Sequence, residues 1–222
     1  FYWVGKENLR PQSVPAELNY DMWLGPAPYK PYNEHRVHQT FRGYWDYDGG
    51  GLTDMGQHYM DPVQYLLGKD RTSPVKVEVD APEQHPDAVD IWRKIVYTYD
   101  DGCQIVLEGE GFESKDDTPY IEGPLGKVYK GFRCTIPDVM EKLAELPDPE
   151  PQNTDFLECV RTRRRFALDE EIGHRSCTLV NMGACALRLN RTLHFDPVSQ
   201  LFVGDDAANR LVDQPMRRPW QI

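Results

Sequence analysis

The chain has no long run of apolar residues. Its 222 residues are 40% hydrophobic, which is enough to build a core. No uninterrupted apolar stretch reaches the roughly 18–20 residues that a membrane-spanning helix needs, so we expect no membrane partner. No signal peptide is visible either. Because the chain opens on Phe1 without an initiator Met, we expect the natural polypeptide to extend upstream.

Positive charge is also scarce. The chain carries 25 Lys and Arg against 36 Asp and Glu, which gives a formal net charge of −11. A general nucleic-acid binder needs a basic surface, so this balance excludes that class and favours neutral or small ligands. The one basic cluster, Arg161 with 163–165, is short and is typical of a solvated helix end.

Metal-ribbon, redox and phosphate-binding motifs are missing. The five cysteines form no C-x-x-C pair, and their scatter favours a reducing folding compartment, which fits a cytoplasmic protein or one exported after folding. Neither G-x-G-x-x-G nor G-x-x-x-x-G-K-[ST] occurs. The chain therefore has no recognisable turn for holding a dinucleotide or a nucleoside triphosphate.

The distribution of helix and strand patterns predicts an α+β fold. Residues 1–48 are rich in Pro, Tyr and Trp without periodicity, which predicts an irregular segment. Residues 49–222 predict an α+β body. We expect helices at 54–67, 136–146, 153–164, 170–190 and 205–213, and strands at 75–79, 91–99, 103–110 and 127–129.

The middle strands alternate apolar and polar residues, and Asp100-Asp101-Gly102 between two of them predicts a hairpin. Strands in the middle with helices on both sides predict an open, largely antiparallel sheet with helices packed on one face. An apolar free face of such a sheet would need a partner, so we expect a homo-oligomer formed through it.

The segment Gly49-Gly-Gly-Leu-Thr-Asp-Met-Gly-Gln-His-Tyr-Met-Asp61 carries the candidate chemistry. On one helix Asp54, His58 and Asp61 would share a face, while an apolar stripe from Met55 to Leu67 would be buried. Carboxylate with imidazole suits proton transfer from a hydroxyl near neutral pH. Two alternatives stay open at this point, a plain solvated helix start and a Zn or Mn site.

A second cluster lies upstream of the glycines. Residues 33–46 interleave charged side chains with aromatic rings, and this combination suits a polyhydroxylated ligand. The other interpretation is an ordered aromatic loop packed on the core. The candidate ligand contacts in the cluster are Arg36, Arg42, Tyr44 and Trp45.

These residues resemble a known family. Residues 49–61 fit the pattern G-G-x-L-x-D-x-G-x-H-x-x-D of the C-terminal domain of the Gfo/Idh/MocA oxidoreductases at every position. Tyr20–Pro28 with Pro31–Asn33, Tyr44–Tyr47, Ala207–Arg210 and Met216–Trp220 resemble further segments of a bacterial subgroup. The resemblance covers nearly all of residues 1–222.

The resemblance implies an NAD(P)-dependent sugar or polyol dehydrogenase of which this chain is the C-terminal part, responsible for substrate binding and oligomerisation. His58 would be the acid/base at the substrate hydroxyl, and Asp54 would orient the substrate or the imidazole. The resemblance makes Asp61 a residue near the substrate that serves mainly structure. NAD or NADP would be bound by a domain missing here.

The chain departs from the family pattern in one large respect. The Rossmann domain is absent, and so is the Lys of the family's E-K-P motif. We expect a fragment of a full dehydrogenase that is inactive alone. Two alternatives remain, a stand-alone carbohydrate-binding or assembly module, and a metal-assisted sugar isomerase or lyase.

Overall fold

A computed structural model describes residues 9–221 of the chain. These residues form two compact units, one made of residues 9–110 and 170–221 and the other of Gly111–Asp169. All the candidate site residues lie in the first, larger unit. Within residues 9–221, no helix combines the length and the apolar character needed to cross a membrane.

The larger unit is built on a five-stranded antiparallel sheet with the order β3-β2-β1-β7-β8. The predicted hairpin is confirmed, because β2 pairs with β3 in register from Thr98 opposite Gln104 to Lys94 opposite Glu108. The strands are β1 (Lys76–Asp80), β2 (Lys94–Thr98), β3 (Gln104–Glu108), β7 (Leu193–Asp196) and β8 (Leu201–Phe202).

Helices cover one face of this sheet, so the predicted α+β class is confirmed. The helices are α1 (Tyr20–Leu24), α2 (Gly50–Asp54), α3 (Gly56–Leu66), α6 (Glu170–Leu189) and α7 (Asp206–Val212), with 3₁₀ turns at Glu34–Arg36 and His38–Gly43. The long helix α6 packs on β1, and the two shorter helices α2 and α3 pack on α6.

The strand alternation decides which face is covered. Val77, Ile95, Tyr97 and Ile105 point into the core and are at most 6% exposed. Their neighbours along the strands point to the open face. That face is mostly polar and holds the ion pairs Lys76–Glu78 at 2.8 Å and Lys94–Glu108 at 3.0 Å.

Most of the apolar stripe predicted to be buried on α3 faces solvent instead, while Leu67 at its end packs partly buried against the core. Four of its members are exposed large hydrophobic residues: Met55 (40%), Tyr59 (65%), Val63 (39%) and Leu66 (66%). The buried side consists of Gly56, Met60 and Gln64. Without a side chain at Gly56, α3 approaches α6 closely enough for a Cβ there to lie 3.6 Å from a Val180 methyl group.

The buried glutamine on α3 is anchored through the nitrogen of its amide. The Gln64 Nε2 group donates to the carbonyl oxygens of Lys69 and Thr72 at 3.0 and 3.2 Å. The predicted burial was therefore wrong because helical periodicity marks an apolar stripe but not which side meets a neighbour.

The smaller unit, Gly111–Asp169, carries a three-stranded antiparallel sheet of order β4-β5-β6. Of its apolar side chains, Cys159 alone is buried. Its elements are β4 (Ile121–Gly123), β5 (Gly126–Tyr129), a 3₁₀ turn at Lys130–Phe132, β6 (Arg133–Cys134), α4 (Val139–Ala144) and α5 (Phe156–Thr162).

Gly183 allows α6 to lie close to the sheet. A Cβ at this position would collide with the Tyr97 hydroxyl and lie 3.1 Å from a Leu52 methyl group. Gly183→Ala is therefore expected to lower the free energy of unfolding by about 1–3 kcal/mol, because the buried Tyr97 ring has little room to retreat. Urea unfolding would measure the change.

The matched control is Gly173→Ala on the same helix, where a Cβ meets no atom within 4 Å. Alanine there should raise stability by roughly 0.5–1 kcal/mol, since it lowers the entropy cost of forming the helix. Adding Tyr97→Phe to Gly183→Ala should recover part of the loss. Equal effects of the two glycine substitutions would contradict the steric explanation.

Candidate active site

The triple glycine starts the helix that carries Asp54. Gly49 and Gly50 have φ of 95° and 78°, a region that side chains disfavour. The Thr53 hydroxyl donates to the carbonyl oxygens of Asp48 and, at 3.3 Å, of Gly50. These bonds tie Thr53 to the backbone of the turn before it. The helix α2 begins at Gly50 and not near Asp54 as predicted.

Asp54 ends α2 and His58 lies in the first turn of α3. Met55 between them has φ −95° and ψ −23°, and the His58 N–H donates to the Met55 carbonyl oxygen at 3.1 Å. This three-residue hydrogen bond tightens the helix locally, so the single helix predicted over 54–67 is divided. Asp54 and His58 still lie on consecutive turns.

Arg42 and Asp54 form an ion pair. The Arg42 Nε atom lies 3.3 Å from the Asp54 Oδ2 atom, with 34% and 28% of the two side chains exposed. The Arg42 guanidinium also lies 5.0 Å from the centre of the Phe41 ring. A partly exposed pair adds little stability, and its main effect is to fix the direction of the carboxylate.

His58 is exposed and Asp61 is partly exposed one turn further along α3. Within residues 9–221, no hydrogen bond or ion pair joins the imidazole to Asp54 or Asp61. The imidazole is therefore free to meet a ligand from solvent. The structure brings Asp54 together with Arg42 and leaves His58 beside them on the helix surface.

Arg36 and Tyr44 lie in the interior. Arg36 is 5% exposed, its Nη2 atom donates to the Asp87 carboxylate at 3.1 Å, and its guanidinium lies 4.7 Å from the centre of the Tyr44 ring. Tyr44 is 1% exposed and its hydroxyl lies 2.9 Å from the His35 Nδ1 atom. Both have structural contacts, and substrate contact by either stays a prediction.

Trp45 lines a cavity that does not include His58. The indole is 9% exposed and donates to the His85 carbonyl oxygen at 3.1 Å. It lines a cavity of about 430 Å³ with Asp48, and α6 contributes Asn181 and Arg188 to the wall. Neither Arg42 nor Asp54 lines this cavity, although Gly49 and Thr53 of the glycine motif do.

Asp48 is a charged residue that sequence reasoning missed. Its Oδ2 atom is buried with no hydrogen-bond partner in the described part of the chain. Burial, followed by the negative charge of Asp54, raises the pKa of the Asp48 carboxyl to about 6. An aspartate before glycines is typical of a turn, so only its position next to the motif could have drawn attention to it.

The whole chain matches one family model. Residues 1–222 fit the family described as "Oxidoreductase family, C-terminal alpha/beta domain", of the Gfo/Idh/MocA group. The chain belongs to this family. It matches no curated protein. The resemblance read from residues 49–61 is confirmed, and with it the interpretation of this chain as an oxidoreductase C-terminal domain.

Gfo/Idh/MocA enzymes generally bind NAD(P) in their N-terminal domain. The described residues of this chain do not fit that cofactor, because the sheet of the larger unit is antiparallel and the sequence lacks the glycine-rich turn. In residues 9–221 there is also no group of three or more His, Cys, Asp or Glu placed to hold a metal ion. Asp54 and His58 are left as candidates for acid/base chemistry.

The raised pKa of Asp48 predicts a pH dependence of stability. The folded protein binds this proton more tightly than the unfolded chain does, so Asp48 makes the free energy of unfolding fall from about pH 4 to about pH 6 and then level off. Asp48→Asn should remove this fall. Above pH 6 it should stabilise the protein by on the order of 1–2 kcal/mol, after allowance for solvent screening.

Urea unfolding between pH 4 and pH 8 tests this expectation, because the difference between the two proteins cancels the other titrating groups. Asp213→Asn, at an exposed carboxylate of the same unit, is the control. Parallel stability curves for wild type and Asp48→Asn would contradict the assignment.

Proposed function

We propose that this chain is the substrate-binding part of an NAD(P)-dependent sugar or polyol dehydrogenase, with His58 as the acid/base. The observation that carries the proposal is the exposed imidazole one turn from a carboxylate that Arg42 holds in place at 3.3 Å. Membership of an oxidoreductase family supports the reaction class.

The chain's own residues act on the proton. When a carbinol carbon loses hydride, its hydroxyl must lose a proton, and a neutral imidazole nitrogen can accept it. Asp54 accepts a hydrogen bond from a substrate hydroxyl and so orients the ring. Arg42 acts through Asp54 as a positioning residue. In the reverse direction, the imidazolium of His58 returns the proton to the carbonyl oxygen.

The hydride acceptor lies outside this chain. NAD or NADP, held by a preceding domain, supplies that part of the chemistry. The exposed stripe beside His58 supports this arrangement, because contiguous apolar side chains on a surface mark contact with another body. The stripe consists of Met55, Tyr59, Val63 and Leu66.

Homo-oligomer formation through the open sheet face is also part of the proposal. Val96 and Val106 lie opposite each other on that face, and Val106 is 46% exposed. On the same face lie the Lys94–Glu108 pair of these two strands and the Lys76–Glu78 pair of β1, whose Glu78 is opposite Val96. A small apolar centre with charged groups around it resembles the arrangement of many protein interfaces.

In the complete enzyme, His58→Ala is expected to lower kcat by about 100- to 10,000-fold, the usual contribution of general acid–base catalysis. NAD(P) affinity should be unchanged, because the imidazole belongs to the substrate side. Steady-state kinetics with a polyol panel and fluorescence titration with NAD(P)H would measure both. The control is His194→Ala on the exposed face of β7.

A His58→Ala enzyme with normal turnover would remove the proton-transfer role of His58. A variant that also loses nucleotide affinity would point to a folding defect or to a contact with the cofactor. Turnover that fails in both histidine variants would show that the effect is not specific to the candidate site.

A further inference from the structure

A groove in the larger unit is formed by segments from opposite ends of the chain. The loop Trp23-Leu-Gly-Pro-Ala-Pro28 provides one wall and residues 212–216 provide the other, around a volume of about 620 Å³. Ligand sites in proteins span about 300–1,000 Å³. The groove is completed by Phe41, Asp46 and Tyr47.

Arg217 holds the two walls together. Its backbone N–H donates to the Pro26 carbonyl oxygen at 3.0 Å. Its guanidinium donates to the carbonyl oxygens of Asp21 and Gly25 at 2.9 and 3.0 Å and pairs with the Asp21 carboxylate at 2.5 Å. Four contacts from one residue fix the position of the C-terminal wall, so the groove is a built feature of the fold.

The lining combines aromatic rings with carboxylates. Trp23, Phe41 and Tyr47 supply the rings, and Trp23 stacks on Tyr20 at 5.8 Å and meets the Tyr47 ring edge-on at 4.9 Å. These contacts hold the indole rigidly. Rings pack against the C–H faces of a sugar, as they do against other apolar surfaces.

The charge of the lining selects against anions. Among the lining residues, Asp46 and Asp213 are the charged ones; Lys30 lies 3.9 Å from Asp46 and offsets part of its charge, while Asp213 is exposed. Carboxylates accept strong hydrogen bonds from hydroxyl groups and repel phosphates and carboxylates. The chemistry of the groove therefore fits a neutral, polyhydroxylated ligand.

The groove lies next to the candidate catalytic residues. Phe41 lines it, the guanidinium of Arg42 lies over the Phe41 ring at 5.0 Å, and Arg42 pairs with Asp54 at 3.3 Å. Arg42 thus links the aromatic wall of the groove to Asp54. A ligand that occupies both places is longer than one sugar ring.

We propose that this groove binds the second sugar ring of a glycoside or oligosaccharide whose first ring lies at Asp54 and His58. The inference rests on the proposed function for the placement of the first ring. It makes the substrate a glycosidically linked sugar and gives the Trp23–Pro28 loop and the C-terminal tail a direct role in selecting it.

The test is calorimetric titration of the 222-residue chain. The probes are maltose, cellobiose, lactose and mannobiose, together with glucose, galactose and mannose. At least one disaccharide is expected to bind tenfold or more tightly than its monosaccharides, because the second ring adds stacking and hydrogen bonds. The proposal is overturned if no disaccharide in the panel binds with higher affinity than its constituent monosaccharides.

Variants locate the effect in the groove. Trp23→Ala should reduce the disaccharide preference at least tenfold, while Trp23→Phe should retain most of it. Tyr29→Ala is the matched control, because Tyr29 is 68% exposed on the same segment and does not line the groove. Asp213→Asn, at an exposed position, should weaken disaccharide binding severalfold without disturbing packing.

A folded Trp23→Ala or Asp213→Asn chain with the full preference overturns the proposal. If Trp23→Ala does not fold, the disaccharide preference of Asp213→Asn and Trp23→Phe tests the proposal instead. Kinetics separate this inference from the proposed function. If the chain prefers disaccharides but His58→Ala turns over like wild type, the catalytic role of His58 is rejected and the second-ring site in the groove stands. If turnover depends on His58 but no disaccharide preference is found, the second-ring site is rejected and the proposed function stands.

Discussion

The close approach of α6 to its neighbours is the constraint on which the candidate site depends. Gly183 lets the helix touch Tyr97 on one side and Leu52 on the other, and α3 packs on α6 where Gly56 faces Val180. The contact at Gly183 requires a missing side chain, because a Cβ there would collide with the Tyr97 hydroxyl in an interior that has no spare volume. The sheet thus fixes α6, and α6 fixes the two short helices that carry Asp54 and His58.

The sheet could be predicted from the sequence because its cause is local. Alternation along 91–99 and 103–110 and the Asp-Asp-Gly turn determine the pairing of β2 with β3, whatever the rest of the chain does. The facing of α3 could not be predicted in this way. Its apolar stripe has the right period, but the position of α6 decided which side is buried, and that side carries a Gly, a Met and a Gln whose Nε2 group is hydrogen-bonded.

The candidate site also has a part that local sequence determines and a part that tertiary contacts determine. The spacing of Asp54 and His58 survives the change of geometry at Met55, because two short helices placed end to end keep the order of their turns. The partners of each side chain depend on tertiary contacts. The sequence grouped Arg36, Arg42, Tyr44 and Trp45 in one cluster. In the structure Arg36 contacts Asp87, and Tyr44 contacts His35. Trp45 lines a cavity, and Arg42 is the one member of the four that pairs with Asp54. Asp48 had no sequence signal, since its raised pKa comes from burial and from Asp54.

The exposure of His58 constrains how the proposed enzyme can work. An imidazole open to water exchanges its proton with solvent, and a reaction that passes hydride needs water excluded from the reacting carbon. The larger unit supplies no cover for His58 within its described residues. It does supply four exposed apolar side chains on or next to the same helix. Their burial would stabilise contact with a domain that covers the histidine. On the proposed function, the surface that excludes water from His58 and the surface that attaches the cofactor domain are therefore the same, which would account for the apolar side chains that the candidate site keeps facing outward.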